Sequence, residues 1–373
     1  MVVIMQRQKQ LLFVAGEASG DAHAAAVIGA LGGSVHTFGA GGPKMRAAGM
    51  ELLFDLTEHA VVGLVEVIKK YRMFRGIFRR LVAEAEIRRP DAVVLVDFPG
   101  FNLRFATEMK RRGLRVIYYI SPQVWAWHAG RARRIQRDVD LMLSIFPFEK
   151  QWYARHAPML QVEFVGHPLA DQITPPERNG TRRTRAVLFL PGSRQREVDR
   201  IWPVMRAVAD RLPRDVQLVA VAVNKALANK IRHPRVHVEV GTARDWMRRV
   251  ALAITASGTA TMECAFSACP MIVLYKVNWL TYLVGRAVIT VNWLAMPNVL
   301  AGRQVVPEFI QHDATPERIA AAAVELLENE EKRCEVAKQL LGVAATLGGP
   351  GASERAAKAI LNAIGRPQEG GGQ

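Results

Sequence analysis

Short apolar runs alternate with longer stretches of helical periodicity along most of the chain, and this alternation limits the possible folds more than any other feature. When strand-like and helix-like segments take turns, the expected result is a parallel sheet whose strands are joined by crossover helices. We therefore predict an α/β fold with two groups of strands. The predicted strands cover residues 11–15, 35–39, 92–97, 116–120, 141–145 and 162–165 in the first half, and 186–190, 217–223, 236–240, 252–255 and 271–275 in the second.

A stretch without apolar periodicity separates the two groups of strands. Residues 166–185 contain three prolines, which is typical of a linker between domains. The chain has 373 residues, half of them apolar, and a single hydrophobic core stops growing at roughly 250–300 residues. We therefore predict two Rossmann-like domains of doubly wound parallel sheet, residues 1–168 and 186–345, facing each other across a ligand-binding cleft. We expect residues 346–373 to form a helix that packs back on the first domain, followed by a disordered tail.

The formal net charge of +16 indicates an anionic partner. Nucleic acid, an acidic membrane surface and a phosphorylated substrate all fit this charge. The small number of cysteines, three, fits a reducing compartment. The chain starts without a signal-peptide pattern, and the apolar segment 279–301 carries Arg286 near its middle, so we predict no membrane span. The expectation is a cytoplasmic protein that touches a membrane surface.

Two carboxylates follow predicted strands of the first domain. Glu17 lies in the glycine-rich turn 16–21, and Asp97 follows the apolar run 92–96. A carboxylate at the carboxyl end of a central strand lies where substrates bind, and apolar neighbours raise its pKa, which suits a general base. The alternatives are an ordinary strand-to-helix turn for Glu17 and a turn-capping role for Asp97. The turn at 16–21 lacks the spacing of a dinucleotide fingerprint.

The first strand of the second domain is followed by Gly192, Ser193 and Arg194. The glycine allows the backbone to approach a ligand, the serine can cap the following helix, and the guanidinium can hold a phosphate with two parallel hydrogen bonds. The alternative is an arginine on an ordinary surface turn. We favour the phosphate contact because of its position at a strand end.

Small and hydroxylated residues also follow the predicted strand 252–255 and open a helix. Ser257, Gly258 and Thr259 lie at the N-terminus of this helix, where free N–H groups and the positive dipole end suit a diphosphate. Glu263 lies one turn further and is a candidate for the ribose, and Asn298, in the turn 296–303, is a candidate for the base. The alternatives are an ordinary N-cap and a structural proline turn. We find neither an acidic metal cluster nor a cofactor motif, and we expect no metal and no cofactor.

Two basic stretches of the first domain contain interleaved apolar residues. Residues 61–68 are almost wholly apolar and run into the basic, aromatic stretch 69–80, which is typical of an interfacial amphipathic segment. Residues 110–137 carry eight Lys or Arg and no Asp or Glu. The alternative is a set of core-facing helices with solvated basic faces. Taken together, the two stretches favour an anionic surface as partner.

Several motifs, taken in order, resemble the lipid A disaccharide synthases. The resemblance runs from about residue 11 to about residue 310, and its most specific part is Ser-Pro-Gln-Val-Trp-Ala-Trp at 121–127. The turns rich in glycine are generic. The other matching motifs are at residues 16–21, 38–43, 146–149, 165–168, 190–198, 257–259 and 297–303.

The resemblance implies a GT-B fold and an inverting glycosyl transfer. In this family a UDP-activated 2,3-diacylglucosamine is condensed with 2,3-diacylglucosamine 1-phosphate (lipid X) to a β-1,6-linked disaccharide 1-phosphate and UDP. By resemblance, Asp97 matches the proposed general base and Arg194 the contact to the donor phosphate. It also implies a peripheral protein on the inner membrane of a Gram-negative bacterium, and it leaves a homodimer open.

Three other functions remain as alternatives. The nearest is another GT-B enzyme with a UDP-N-acetylglucosamine-type donor, such as the peptidoglycan transferase or the 2-epimerase. A nucleic-acid-binding protein fits the basic stretch 110–137, but no helix-turn-helix, RRM, KH or zinc-finger pattern supports it, so we expect no nucleic-acid partner. A non-catalytic membrane adaptor is the third.

Overall fold

The computed structural model describes residues 7–57, 64–127, 129–174, 176, 183–278 and 291–365, with backbone only for 64–71 and 127. The chain divides into two compact units: unit 1 comprises Met1–Asp171 and Gly349–Gln373, and unit 2 comprises Gln172–Gly348. Residues 175 and 177–182 of the predicted linker, residues 61–63 of the apolar run 61–68 and residues 366–373 of the predicted disordered tail lie outside the described residues. Within the linker, residues 169–172 form a short helix and residues 184–185 begin a strand.

Unit 1 contains a seven-stranded parallel sheet with the strand order β3-β2-β1-β4-β5-β6-β7. The central strands β1 and β4 are almost wholly buried because helices cover both faces of such a sheet, which is why they are continuous apolar runs. The order reverses between β1 and β4, which pair directly. The strands are β1 Gln10–Ala15, β2 His36–Gly41, β3 Glu51–Asp55, β4 Ala92–Val96, β5 Val116–Tyr119, β6 Leu141–Ser144 and β7 Gln161–Phe164.

Helices connect these strands and bury one apolar side against the sheet. Leu81 of α3 and Phe105 of α4 are fully buried in the same hydrophobic cluster as Leu12 and Val93 of the sheet. The helices are α1 Ala18–Ala30, α2 Pro43–Ala47, α3 Leu64–Arg88, α4 Pro99–Arg111, α5 Val124–Trp127, α6 Ala132–Asp138, α7 Pro147–His156 and α8 Leu169–Gln172.

Unit 2 repeats this architecture with a six-stranded parallel sheet in the order β10-β9-β8-β11-β12-β13. Its order reverses between β8 and β11, which also pair directly. Its core lies between the sheet and two amphipathic helices, α9 and α14, whose apolar faces contain Met205 and Ile319. The strands are β8 Thr184–Leu190, β9 Gln217–Ala222, β10 Val236–Val240, β11 Val250–Ala256, β12 Met271–Tyr275 and β13 Glu308–Ile310; the helices are α9 Gln195–Arg211, α10 Lys225–Lys230, α11 Arg244–Arg249, α12 Thr259–Phe266, α13 Met296–Ala301, α14 Pro316–Glu328 and α15 Glu330–Thr346.

The last helix, α16 Ala352–Gly365, belongs to unit 1 and packs against α1 and β6. Asp171 holds its N-terminus, because its carboxylate accepts the backbone N–H groups of Gly351, Ala352 and Ser353 at 2.7–2.9 Å. These bonds lower the pKa of Asp171 against the opposing effect of burial. Asp171 is the last residue of unit 1 before the chain enters unit 2, and the chain re-enters unit 1 at Gly349. The Asp171 carboxylate therefore connects the two crossing points.

All eleven predicted strands are present, with ends that differ by at most two residues. The edge strands β3 and β13 were not predicted, whereas the edge strands β7 and β10 were. The sequence pattern of residues 314–335 predicts one amphipathic helix. The structure has two helices there, because Asn329 accepts the N–H of Lys332 and starts α15. Among the described residues, no helix is both long and apolar enough to cross a bilayer.

Candidate active site

Asp97 lies in an unusual backbone conformation directly after β4. Asp97 and Phe98 have φ angles of 47° and 50°, the left-handed region that non-glycine residues rarely adopt. Pro99 then begins α4, so the chain changes from strand to helix within two residues. Backbone strain of this kind persists only where many neighbouring contacts fix the conformation, and it is found most often at functional sites.

Three neighbours hold the backbone of this turn. The Tyr118 hydroxyl donates to the Asp97 carbonyl at 2.6 Å, and Asn102 Nδ2 donates to the same oxygen at 2.8 Å. The Asp97 N–H donates to the carbonyl of Tyr119 at 3.0 Å. Tyr118 and Asn102 are fully buried, whereas the Asp97 side chain is partly exposed, so its carboxylate can meet a substrate.

Glu17 reaches the same edge of the sheet from the neighbouring strand. β1 and β4 pair in parallel register with Ala15 opposite Val96, and Glu17 is the partly exposed N-cap residue of α1. A side chain on Gly16 would lie 2.2 Å from the Phe98 ring, so the glycine lets the two turns pack together. Both predicted carboxylates therefore lie where the strand order reverses, the position at which open α/β sheets bind ligands.

Asp21, at the end of the glycine-rich turn 16–21, lies in the first turn of α1 and could cap that helix by its residue type. The structure gives it a different role. Its buried carboxylate accepts the N–H groups of Gly42, Lys44 and Met45 at 2.9–3.1 Å. These are free donors at the N-terminus of α2, so Asp21 ties α1 to α2 instead of capping its own helix.

The sequence analysis assigned no role to Glu149, which the structure places beside this edge. Its side chain is fully buried in the first turn of α7 and accepts the indole N–H of Trp125 at 3.0 Å and the hydroxyl of Ser144 at 2.7 Å. A glutamate in the first turn of a helix is ordinarily exposed to solvent, where its charge interacts favourably with the helix dipole. One signal in the sequence could have indicated a role for Glu149: it belongs to the motif 146–149, which follows the buried strand β6.

In unit 2, the turn after β8 presents Ser193 and Arg194 to solvent. Gly192 has φ +118°, and a side chain on it would lie 2.3 Å from Glu197. Glu197 accepts the N–H groups of Ser193 and Arg194 at 3.1 and 3.4 Å. Gly192 thus makes room for a carboxylate of the protein itself, and Arg194, not Ser193, is the N-cap of α9. The backbone N–H groups of Ser193 and Arg194 are therefore bonded to the protein itself.

The second predicted cradle lies beside the first, at the end of β11. Thr255 pairs with Leu190 in register, and Gly258 and Thr259 are exposed at the N-terminus of α12. Ser257 is partly exposed and donates to the carbonyl of Leu294 at 3.2 Å. The two turns flank the strand-order reversal of unit 2, as the carboxylates do in unit 1.

Glu263 and Asn298, the candidates for the ribose and the base, differ in the exposure and the bonding of their side chains. Glu263, a quarter exposed, pairs with Arg244 at 3.3 Å. Asn298 is fully buried; its amide donates to Val306 and to Glu308, and its oxygen accepts two backbone N–H groups. With its donors and lone pairs in use, the Asn298 side chain does not fit the expected contact to the base, and it shapes the loop instead.

The aromatic residues of the part 72–80, whose side chains are described, do not form a free apolar face. In the part of α3 whose side chains are described, Met73, Phe74, Ile77 and Phe78 pack into the core of unit 1, so the expected amphipathic membrane face is wrong for them. The basic residues of the same part point outward. The exposed arginines are Arg72, Arg75, Arg79 and Arg80.

Comparison with known proteins identifies the family. The family model described as lipid-A-disaccharide synthetase matches residues 11–362. This chain belongs to that family. The lipid-A-disaccharide synthase of Syntrophus aciditrophicus is 40% identical over 377 residues, covering 95% of this chain and 98% of that protein. The predicted resemblance is confirmed, and with it the assignment to the glycosyltransferases.

Solved structures with low sequence identity share the fold. The UDP-N-acetylglucosamine 2-epimerase homologue from Listeria monocytogenes superposes with a TM-score of 0.65 at 16% identity over 96% of both chains. MurG of Acinetobacter baumannii gives 0.59 at 14% identity, covering 95% of this chain and 99% of that one. These likenesses confirm the predicted GT-B fold.

Proposed function

We propose that this protein transfers 2,3-diacylglucosamine from UDP to the 6-hydroxyl of 2,3-diacylglucosamine 1-phosphate. The products are a β-1,6-linked disaccharide 1-phosphate and UDP. The observation that carries the proposal is the strained turn at Asp97, held by buried side chains at the reversal point of unit 1, in a chain of this family. A lipid A synthase needs one fixed base next to an acylated sugar.

Asp97 acts as the general base in this proposal. Its carboxylate takes the proton of the acceptor 6-hydroxyl while the hydroxyl oxygen attacks C1 of the donor. The bond from C1 to the diphosphate breaks, its electron pair leaves with UDP, and the α-linked donor becomes a β-linked product. Glu17, at the adjacent strand end, is the alternative base.

Unit 2 binds the donor nucleotide and stabilises its leaving group. The Arg194 guanidinium and the N-terminus of α12 at Gly258 and Thr259 offset the negative charge that grows on the diphosphate. Ser193 and Ser257 supply hydroxyl groups at the same strand ends. Glu263 contacts the ribose only if it leaves Arg244, and Gly192 and Asn298 act through the loops that they shape.

The direct test combines the purified protein with both acylated monosaccharides. We expect UDP and disaccharide 1-phosphate in equal amounts, with the new linkage β by its NMR coupling. Unacylated UDP-N-acetylglucosamine is the control donor. Absence of disaccharide from the acylated pair, or equal turnover of the control donor, would contradict the proposal.

We further propose that the protein works at the cytoplasmic face of the inner membrane, held there by charge. The exposed arginines of α3 attract anionic headgroups, each by about 1 kcal/mol near the surface. We expect sedimentation with phosphatidylglycerol vesicles that weakens with salt, and about tenfold or more weaker binding for Arg75→Glu with Arg79→Glu. Equal sedimentation with neutral vesicles would contradict this.

A further inference from the structure

Three motifs that the sequence analysis left without a role meet in one buried cluster of unit 1. They follow β5, β6 and β7, three consecutive strands at the same edge as the Asp97 turn. The rings of Trp125 and Phe148 pack edge to face with centroids 5.0 Å apart, and Phe146 lies 5.8 Å from His167. Glu149 is the carboxylate at the centre of this cluster.

Glu149 connects the ends of two strands and a short helix. Trp125 Nε1 donates to its Oε1 at 3.0 Å, and Ser144 Oγ donates to its Oε2 at 2.7 Å. The Ser121 hydroxyl lies 3.0 Å from the Tyr153 hydroxyl, and it also lowers the pKa of Glu149. Ser144 ends β6, whereas Ser121 and Trp125 belong to the segment after β5, which we call the β5 segment, residues 120–126.

The β5 segment begins with backbone strain. Ile120 has a φ of 66°, which is a clear outlier for a β-branched residue. The residue before it, Tyr119, accepts the N–H of Asp97, and Tyr118 donates to the Asp97 carbonyl. Ile120 therefore lies between two sets of bonds. The bonds of Ser121 and Trp125 follow it in the chain and stabilise its strained backbone, and the residues that hold the Asp97 turn directly precede it.

Glu149 is also the group in this cluster whose charge changes near neutral pH. Burial raises its pKa to about 7, although the hydroxyl and indole donors favour the ionised form. Burial raises the pKa of Tyr118, Tyr119 and Tyr153 and lowers that of His167 to about 3, so these neighbours stay neutral. An ionised carboxylate accepts every donor around it, whereas a protonated one must itself donate.

We propose that Glu149 is a positioning residue for the transfer reaction: its ionised carboxylate fixes the β5 segment, and this segment fixes the Asp97 turn. The proposal rests on the proposed function for its kinetic consequence but not for its structural one. Protonation of Glu149 weakens the bond from Trp125, loosens the β5 segment and lowers the rate.

The structural consequence is tested without substrate. The protein is labelled with ¹⁵N-tryptophan, and the Trp125 indole signal is assigned by its loss in Trp125→Phe. We expect this signal to shift with pH around a midpoint near 7 in the wild type and to stay constant in Glu149→Gln. A Trp125 signal that does not titrate in the wild type overturns the proposal even when the enzyme forms disaccharide.

The kinetic consequence is tested in the same variants, with circular dichroism to verify folding. We expect Glu149→Gln to lower kcat about ten- to a hundredfold, the effect of a small displacement of a reacting group, with the donor KM unchanged. The exposed Glu163 of the same sheet, changed to Gln, is the matched control and should keep the wild-type rate.

Two further results separate positioning from mere support of the fold. The wild-type kcat should rise with pH through a step near 7 that is absent in Glu149→Gln, and Trp125→Phe should add little to the loss in Glu149→Gln, since both break one bond. An unchanged pH profile in Glu149→Gln, or additive losses, overturns the proposal. If the wild-type protein forms no disaccharide but its Trp125 indole signal titrates, the result contradicts the proposed function and leaves the structural role of Glu149 intact.

Discussion

The two sheets end in turns of opposite character at the points where their strand order reverses. In unit 1, the turn after β4 contains two left-handed non-glycine residues, Asp97 and Phe98, and buried side chains hold its backbone. In unit 2, the turn after β8 uses Gly192 for its left-handed step and leaves Ser193 and Arg194 exposed. The same topology thus carries one rigid turn and one open turn.

Under the proposed function, the difference corresponds to two tasks. A reacting group must be held within about 0.5 Å of its productive position, which supporting bonds achieve. A diphosphate that arrives with the donor and leaves as product is better served by exposed charges and helix N-termini, which bind it and release it. The comparison therefore predicts that pH and substitutions of buried residues in unit 1 change kcat. Salt should instead change the affinity for UDP, which unit 2 binds.

The largest expected effect is that of Asp97→Asn. Removing the proposed general base should lower kcat about 10²–10⁴-fold while the protein stays folded, because the amide keeps the shape of the side chain but cannot take the proton. The measurement is steady-state release of UDP. Glu17→Gln is the comparison variant, and a wild-type rate for Asp97→Asn with a large loss for Glu17→Gln would transfer the role of base to Glu17.

The next effect is a pH-dependent change of stability at Glu149. Because the folded state raises its pKa from 4.5 to about 7, the folded state binds its proton more tightly than the unfolded state. Its contribution is therefore fully present below about pH 4.5 and is lost as the pH rises through about 7. Glu149→Gln, which has no such proton, should gain about 3 kcal/mol relative to wild type across this window in urea unfolding. A constant difference would contradict the buried ionisation.

A smaller effect is expected for Arg194→Ala in unit 2. Loss of one hydrogen-bonded charge at about 1.5–3 kcal/mol should weaken UDP binding roughly ten- to a hundredfold. Calorimetric titration with UDP at low and high salt measures it, and the wild-type affinity should fall with salt more steeply than that of the variant. The exposed neighbour Arg196, changed to Ala, is the control. Equal losses for both arginines would mean that general surface charge binds UDP.

The smallest effects are expected for the two buried asparagines that shape the loops. Asn102→Ala and Asn298→Ala should each lower the free energy of unfolding by about 1–3 kcal/mol, because buried backbone groups lose their partners. Their kinetics should differ: Asn102→Ala lowers kcat, since Asn102 supports the Asp97 turn, whereas Asn298→Ala raises the donor KM. The same kinetic pattern in both variants would remove the contrast between the units.

The sequence predicted the interior of the fold better than its edges. Strands buried on both faces, such as β1 and β4, are continuous apolar runs and are recognisable without a structure. The missed strands β3 and β13 are edge strands with partly exposed residues and only short apolar runs, of three and two residues. The other two edge strands, β7 and β10, were predicted. Asn329 ended a predicted helix because a side-chain cap interrupted a continuous helical pattern.

Candidate site residues at strand ends could be predicted because topology alone brings those ends together. Asp97 and Glu17 in unit 1, and Arg194 in unit 2, were predicted in this way, and the structure places each just after a strand. The direction of a side chain could not be predicted, which is why Asn298 was expected to contact a ligand although it is buried in its own loop. Glu149 was missed for the same reason, since its burial depends on tertiary packing of three separate motifs.

The UDP affinity of Asp97→Asn is the most direct test of the division between a rigid catalytic turn and an open nucleotide cradle. We predict a dissociation constant within about twofold of wild type, in a protein whose turnover has fallen by about two or more orders of magnitude. A loss of UDP affinity as large as that of Arg194→Ala would contradict the division.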